Sequence, residues 1–382
     1  MCGAKIIKLL ICKINLSNFL KKISLLMKIA IVFNEVNPEL YLKKRRPAKD
    51  LSFKPVFNMA GIDPLSDFED ISKALCKVGY DAYTLNIMDN LQTFIKDYEK
   101  NKPDIVFNLV ELFKDQPRLE MSFTGILELL NVAYTGAPPL ALGTCQNKTL
   151  TKRILSSLGI RTPRYKIIKN MERSFRLGLR YPLIVKPAWE DASVGIDNDS
   201  IVDNVDALKK RVEYVFNSFK QPALVEEFIL GRELNVAVFG DKELQVLPIS
   251  EIDFSNMPDN LHPIVSFQAK WDPSHEAYHK TIPICPAQVP DEIRIEAEKI
   301  ALQCVRAVGT RDYSRVDMRL SKDDNKLYVL EVNPNPDLQE EAGFMRSAKH
   351  AGYSYKKTLK MIVDFAYERK QAAINSQHSN KN

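Results

Sequence analysis

Hydrophobic and polar positions follow two rhythms along this chain, and the rhythms alternate. Apolar runs at 29–33 and 104–109 predict buried parallel strands. Three-to-four spacing predicts helices over 67–78, closed by Gly79, and over 119–130. The break Tyr134-Thr135-Gly136-Ala137-Pro138-Pro139 ends this first βαβ-type unit. A helix over 147–158 stopped by Gly159, a strand over 181–186 closed by Pro187, a helix over 204–219 and a strand over 223–228 come next. Gly231 then turns into strands over 233–239 and 244–249. Six prolines between 258 and 290 predict an irregular segment, because proline ends helices and cannot sit in a central strand. A long helix over 291–308 carries the apolar stripe Ile293, Ala297, Ile300, Ala301, Cys304. A last helix is expected over 355–366, and the Asn/Ser/Lys-rich stretch after Lys370 is expected to be disordered.

Two alternating segments carry the strongest chemical signal. Tyr313-Ser314-Arg315-Val316-Asp317-Met318-Arg319 and Leu327-Tyr328-Val329-Leu330-Glu331-Val332-Asn333 read as half-buried strands, and the polar stretch Ser321 to Lys326 between them reads as a turn. A hairpin symmetric about Asp324 sets Asp317 opposite Glu331 and Arg315 opposite Asn333, on one face. Two carboxylates that close need a proton or a cation between them. An oxygen-only set with one amide suits Mg²⁺ held jointly with phosphate oxygens, and an arginine beside it suits a phosphoryl group.

Composition narrows the setting. A 382-residue chain with 45% hydrophobic and 27% charged residues is globular and long enough for two or three domains. Six scattered cysteines without Cys-x-x-Cys spacing suggest neither a disulfide framework nor a zinc knuckle, and so a reducing, cytoplasmic setting. The net charge of +6 is concentrated in residues 1–26, which hold five lysines and no acid, leaving +1 for the rest. A near-neutral body does not argue for nucleic acid, and Lys43-Lys44-Arg45-Arg46 reads as a solvated loop. Lys8 and Lys13 interrupt the apolar N-terminus, so stable membrane insertion is not expected, and residues 1–26 are read as an extension outside the fold.

The middle of the chain offers the other half of a nucleotide site. Lys186 ends a buried strand and precedes the small-residue loop Trp189-Glu190-Asp191-Ala192-Ser193-Val194-Gly195. A lysine there can place a point charge on phosphate oxygens, and the loop can close over them with backbone N–H groups. Val225-Glu226-Glu227-Phe228-Ile229 sets carboxylates between apolar walls, which suits a base edge.

With these residues in order, the chain resembles the ATP-grasp superfamily and, within it, the D-alanine–D-alanine ligase group, over roughly 28–370. The resemblance rests on Tyr134-Thr135-Gly136 followed by Asn147-Lys148, on Leu183-Ile184-Val185-Lys186-Pro187 with Ser193-Val194-Gly195, and on Val225-Glu226-Glu227-Phe228-Ile229-x-Gly231-x-Glu233. Ala269-Lys270-Trp271, Arg315-x-Asp317 and Leu330-Glu331-x-Asn333-Pro334 complete it. It implies a mixed α/β and α+β fold with three domains, and a nucleotide site between the central and C-terminal ones. The expected bounds are 27–137, 138–224 and 225–372, with a tail at 373–382. It further implies an ATP-dependent carboxylate–amine ligase that passes through an acylphosphate. Lys148 and Lys186 would hold the α/β-phosphates, with Ser193 in the loop over them. Glu226 would accept from the adenine amino group, the backbone of Glu227 and Ile229 would line the base, and Glu233 would take the ribose hydroxyls. Lys270 and Arg315 would neutralise the transferring phosphoryl group. Asp317, Glu331 and Asn333 would bind two Mg²⁺ ions, with Mn²⁺ as an alternative. The partners implied are small-molecule carboxylates and amines, and a homodimer is allowed.

The departures from the family pattern concern the substrate. Glu35 and Glu69 are loose substitutes for the family's amine-binding acids, and Asn108-Leu109-Val110-Glu111 replaces a His-Gly pair. Ala192 and Trp271 stand where a serine and a tyrosine normally bond to close the loop, and Asp337 puts an acid where an acceptor carboxylate would dock. These departures predict an acceptor that is not standard D-alanine. Two other classes compete with this reading: an ATP-binding regulatory protein on the same fold, and a zinc peptidase. His275-Glu276-Ala277-Tyr278-His279 matches H-E-x-x-H, but the flanking Pro273, Pro283 and Pro286 leave no long helix to aim both imidazoles at one metal.

Overall fold

The computed structural model describes residues 26–37, 53, 55–57, 64–171 and 175–379. All but the last residue of the expected extension at 1–26, most of the basic loop between 40 and 59 and residues 380–382 lie outside these.

Three sheets follow one another along the chain. The first is parallel, in the order β2 (Asp81–Asn86), β1 (Lys28–Phe33), β3 (Ile105–Leu109). Parallel neighbours need crossovers, and the helices Pro64–Lys77 and Leu91–Asn101 supply them. The chain leaves β1 to one side for β2 and returns on the other side for β3. The gap between β1 and β3 is therefore a switch point, where open parallel sheets hold ligands beyond the strands' carboxyl ends. Glu35 and Glu111 come two residues after those ends. The strand β2 escaped the sequence reading because it is an edge strand with no fully buried residue. The helix Leu91–Asn101 escaped it because its one buried side chain is Phe94.

The second sheet is antiparallel, in the order β4 (Tyr165–Ile168), β7 (Ala223–Glu227), β5 (Leu183–Pro187), β6 (Ile201–Val202). Leu208, Val212 and Val215 of the helix Val205–Phe219 pack on Leu183, Val185 and Val225. The strand β7 belongs wholly to this sheet. The expected boundary at 224 therefore cuts through a strand, and the change of sheet comes after Glu227.

The third sheet has six strands: β8 (Gly231–Gly240), β9 (Gln245–Val246), β10 (Ser250–Asp253), β11 (Ile282–Ile284), β12 (Asp312–Ser321) and β13 (Leu327–Asn333). The order is β11-β10-β8-β12-β13, with β9 also on β8. The proline-rich stretch yields two five-residue helices, Phe267–Trp271 and Glu276–Lys280, and then β11, an edge strand where Pro283 forfeits no central ladder bond. Gly231 has φ +147°, and a Cβ there would lie 1.9 Å from the Leu320 carbonyl oxygen, so β8 and β12 meet at this end only because it is glycine. One face of the sheet buries Leu234, Val236, Val316, Met318 and Val329 against Ala297, Ile300, Ala301 and Cys304 of the helix Asp291–Val308, whose apolar stripe and bounds are those expected. Alternation then puts Glu233, Asn235, Arg315, Asp317 and Arg319 on the opposite face.

The hairpin has the expected pairing where it matters and a different one nearer its turn. Arg315 faces Asn333 and Asp317 faces Glu331, but Met318 faces Val329 and Leu320 faces Leu327. Leu330 is an extra residue, a β-bulge. The adjacent apolar pair Val329-Leu330 was its trace in the sequence.

The final helix runs Tyr355–Ser379. The disorder expected after Lys370, with a tail at 373–382, is thus corrected as far as Ser379. Extending a helix already nucleated adds one hydrogen bond per residue fixed, and Gln371, Ala372 and Ala373 are good helix formers. Leu359, Ile362, Val363 and Ala366 of this helix join Ile29, Ile31 and Phe107 of the first sheet to Phe239 and Tyr313 of the third in one core. The first sheet is thereby fixed against the third. No helix among the described residues is long and apolar enough to cross a membrane.

Candidate active site

The polar face of β8, β12 and β13, the end of β5 and the N-terminus of the helix Lys148–Ser157 bring their charged side chains into one cluster. At its centre the Arg315 guanidinium donates from Nε and Nη2 to the two oxygens of Asp317 at 2.7 and 2.8 Å. Asn235 and Asn333 donate to the same carboxylate at 2.7 and 2.9 Å. Burial alone would lower the Arg315 guanidinium, but Asp317 outweighs it and raises it. Glu331, across the hairpin, is 3.4 Å from Lys148 Nζ. Burial pushes its carboxyl up, but Lys148, Lys270, Lys186 and Arg315 outweigh that and hold it at about 2.

Lys148 also donates to Asp191 at 2.9 Å, tying the helix to the small-residue loop. Burial would lower its ammonium, and Asp191 and then Glu331 more than reverse this. The Lys186 ammonium sits 2.9 Å from Glu226 Oε2. Lys270 is half-buried on the helix Phe267–Trp271, and burial followed by the nearby Arg315 charge lowers its pKa.

The side chains of Glu226, Glu227 and Glu233, expected to line base and ribose, are each engaged by neighbouring cations. Glu226 is 1% exposed, with its oxygens 2.7 Å from Lys152 Nζ and 2.9 Å from Lys186 Nζ. Burial raises its carboxyl, and the two ammoniums pull it down to about 2. The Glu227 carboxylate accepts from Arg164 Nη1 at 3.2 Å and the Arg180 amide at 2.9 Å. Glu233 accepts from Arg319 at 2.9 and 3.2 Å, and Arg319 also donates to the Ile229 carbonyl at 3.0 Å and to that of Pro263. The rings of Phe228 and Phe254 flank this guanidinium.

The loop over Lys186 is tied down on both sides. Ala192 and Ser193 have φ +51° and +62°. Ser193 Oγ donates to the Val265 carbonyl at 2.8 Å, and Trp271 Nε1 donates to the Ala192 carbonyl at 3.0 Å. The hydroxyl pair missing from the sequence is thus replaced by an indole N–H on a backbone oxygen. Trp271→Phe is expected to raise the KM for ATP by about three- to tenfold, the worth of one such bond. ADP-release kinetics check this. An unchanged KM would mean that the latch does not act on the nucleotide.

Three residues of this cluster were not singled out from the sequence. Asn235 and Arg319 were legible in retrospect, since Asn235 shares a strand face with Glu233, and Arg319 shares one with Arg315 and Asp317. Lys152 follows Lys148 by one helical turn. Trp271 stands out in the sequence as a departure, and its indole N–H makes the contact to the loop that a hydroxyl would make.

The zinc reading fails on geometry. His275 caps a five-residue helix, its Nδ1 accepting from the Ala277 amide at 3.1 Å. His279 is buried, with Nδ1 accepting from the Val56 and Phe57 amides at 3.1 and 3.0 Å and Nε2 2.9 Å from the Pro273 carbonyl. Both ring nitrogens are committed, and no group of three or more His, Cys, Asp or Glu placed to hold a metal occurs among the described residues.

Comparison with known proteins points to one family. The family described as D-ala D-ala ligase C-terminus matches residues 154–364. Uncharacterized protein y4sG of Sinorhizobium fredii is 33% identical over 265 residues, 69% of this chain and 75% of its own length. A D-alanine–D-alanine ligase of Carboxydothermus hydrogenoformans is 29% identical over 309 residues, 79% of this chain and 92% of its own. The crystal structure of D-alanine–D-alanine ligase from Bacillus anthracis complexed with ATP superposes with a TM-score of 0.68 at 23% identity, covering 91% of this chain and 99% of that one. The likeness establishes the ATP-grasp fold that the order of residues implied.

Proposed function

The chain belongs to the D-alanine–D-alanine ligase family, and on that premise we propose that it is an ATP-dependent carboxylate–amine ligase working through an acylphosphate. The observation that carries this reading is the opposed Asp317–Glu331 pair with Arg315, Lys148 and Lys270 around it. The γ-phosphoryl group of ATP passes to a substrate carboxylate, giving ADP and an acylphosphate. An amine then attacks the acyl carbon, forming the amide and expelling phosphate.

Each cleft residue has a task in this scheme. Lys148 and Lys186 bind the α/β-phosphates under the Ser193 loop. Lys270 and Arg315 neutralise charge on the transferring group, where positioning and electrostatics supply most of the catalysis. The base lies along Glu226, Glu227 and Ile229, and the ribose at Glu233. Asp317, Glu331 and Asn333 form an all-oxygen set with few protein ligands, which fits Mg²⁺ or Mn²⁺ held jointly with phosphate oxygens. With its nitrogen committed to Asp317, the Asn333 amide has its oxygen for a cation. Mg²⁺ bound there would supply charge neutralisation between neighbouring phosphate oxygens. An enzyme drawing on ATP and small carboxylates works in the cytoplasm, and a homodimer is compatible with the reading. A purely regulatory ATP sensor is not favoured, because such a protein has no need of Arg315 and Lys270 at the phosphoryl position.

The acceptor side differs in sign from a site for a second amino-acid carboxylate. Glu35 and Glu111 stand at the switch point of the first sheet. Desolvation by the surrounding protein, followed by the carboxylates of Asp337, Glu35 and Asp191, pushes the pKa of Glu111 up to about 7. With Asp337 where an acceptor carboxylate would dock and Glu111 within reach of its charge, a second carboxylate would be repelled, whereas an ammonium would be attracted. We infer an acceptor that carries an amine or lacks a free carboxylate. Because Glu111 gains its charge as pH rises through about 7, the KM for a cationic acceptor should fall across that range, and Glu111→Gln should abolish the dependence. The deciding assay is ADP release with D-alanine alone, then with diamino acids and simple amines added. Efficient D-alanyl-D-alanine formation from D-alanine alone would overturn the acceptor reading and leave the ligase reading standing.

A further inference from the structure

Lys148 and Lys152 are one turn apart on the helix Lys148–Ser157, so both ammoniums leave the same face. They meet different surroundings. Lys148 reaches the loop and the hairpin through Asp191 and Glu331. Lys152 is 2% exposed and lies 2.7 Å from Glu226 Oε1, off the line of a well-directed hydrogen bond, with its Nζ 5.9 Å from the centre of the Tyr165 ring. The other oxygen of Glu226 holds Lys186 at 2.9 Å. One buried carboxylate therefore serves two ammoniums.

The two lysines differ in what they can do next. The Lys186 side chain is 14% exposed, at the end of β5 beside the loop. Lys152 is enclosed. We propose that Lys152 is a positioning residue, the resident counter-ion of Glu226 that frees Lys186 to leave this carboxylate for the nucleotide phosphates. The proposal rests on the reading above that Lys186 meets phosphate. Its physical basis is the cost of a buried carboxylate stripped of its cation. If Lys186 were the sole partner of Glu226, each step towards a phosphate would leave that charge unpaired, and ion pair and nucleotide would compete. With Lys152 in place, the carboxylate keeps one cation throughout.

The test is calorimetric binding of ATP with Mg²⁺, with folding followed by circular dichroism. Lys152→Met should weaken ATP binding by about 10- to 100-fold, comparable to Lys186→Ala, the worth of a charge-assisted contact. Adding Glu226→Gln should restore it. The amide needs no counter-ion yet keeps an oxygen for a base amino group, so the double variant should bind within about threefold of Glu226→Gln alone. A residue that only filled space would not be rescued in this way. Wild-type affinity in a folded Lys152→Met variant overturns the proposal, and so does a double variant as weak as the single one. Should Lys152→Met fail to fold, the double variant, in which a buried ion pair becomes two neutral groups of similar size, is compared with Glu226→Gln directly, and weaker binding overturns the proposal. Wild-type protein that binds no ATP would instead overturn the functional reading beneath it.

Discussion

Glu331→Gln is expected to lower ATP turnover by about a thousandfold or more, the scale for losing an electrostatic anchor of phosphoryl transfer. The substitution keeps size and shape and removes one negative charge. That charge now lies among Lys148, Lys270, Lys186 and Arg315, which is why its carboxyl stays ionised down to about pH 2. Without it those four cations lose a counter-charge and should hold a bare phosphate chain at least as well as before. The variant should therefore bind ATP without Mg²⁺ normally or better, yet gain little from added Mg²⁺. Comparing ATP affinity with and without the ion, beside ADP release, separates this result from unfolding. Turnover above about a tenth of wild type would remove Glu331 from the metal set.

Arg315→Lys is expected to lower kcat by about 100- to 1000-fold with little change in the KM for ATP. Charge is conserved, so a general electrostatic role would survive the change. What is lost is the planar fork that now grips both oxygens of Asp317 at 2.7 and 2.8 Å. The same fork is what would grip a phosphoryl group while Asp317 turns to a cation. A KM effect without a kcat effect would instead assign Arg315 to ground-state binding.

The polar face that carries the candidate site was legible because it is written in a period of two. Arg315, Asp317 and Arg319 alternate with Val316 and Met318, and the apolar set is buried under a helix whose own stripe was plain. The first sheet was half legible. β1 and β3 are apolar runs with mostly buried residues, while β2 has no such run. Pairings across long separations were illegible, since nothing in Lys152 names Glu226 as its partner 74 positions on. Burial made that pair, and burial is a property of the assembled sheets. The same holds for His279, whose spacing matched a metal motif while its actual partners are backbone groups at Val56, Phe57 and Pro273.

The bulge at Leu330 makes β13 one residue longer than its ladder with β12 requires. A deletion there is therefore of a different kind from a deletion elsewhere in the hairpin. Removing Leu330 closes the ladder with Met318 still against Val329 and Asp317 still against Glu331, so no side chain changes face. Removing Val316 from β12 would send everything before it to the wrong side. The spare residue thus contributes twist and aim, not pairing, since a bulge bends its strand and re-points the residues beside it. A shortened chain lacking Leu330 should melt near the wild-type temperature while losing turnover, because Glu331 would face Asp317 along a different direction. A hairpin can be made more regular here only by detuning what it holds.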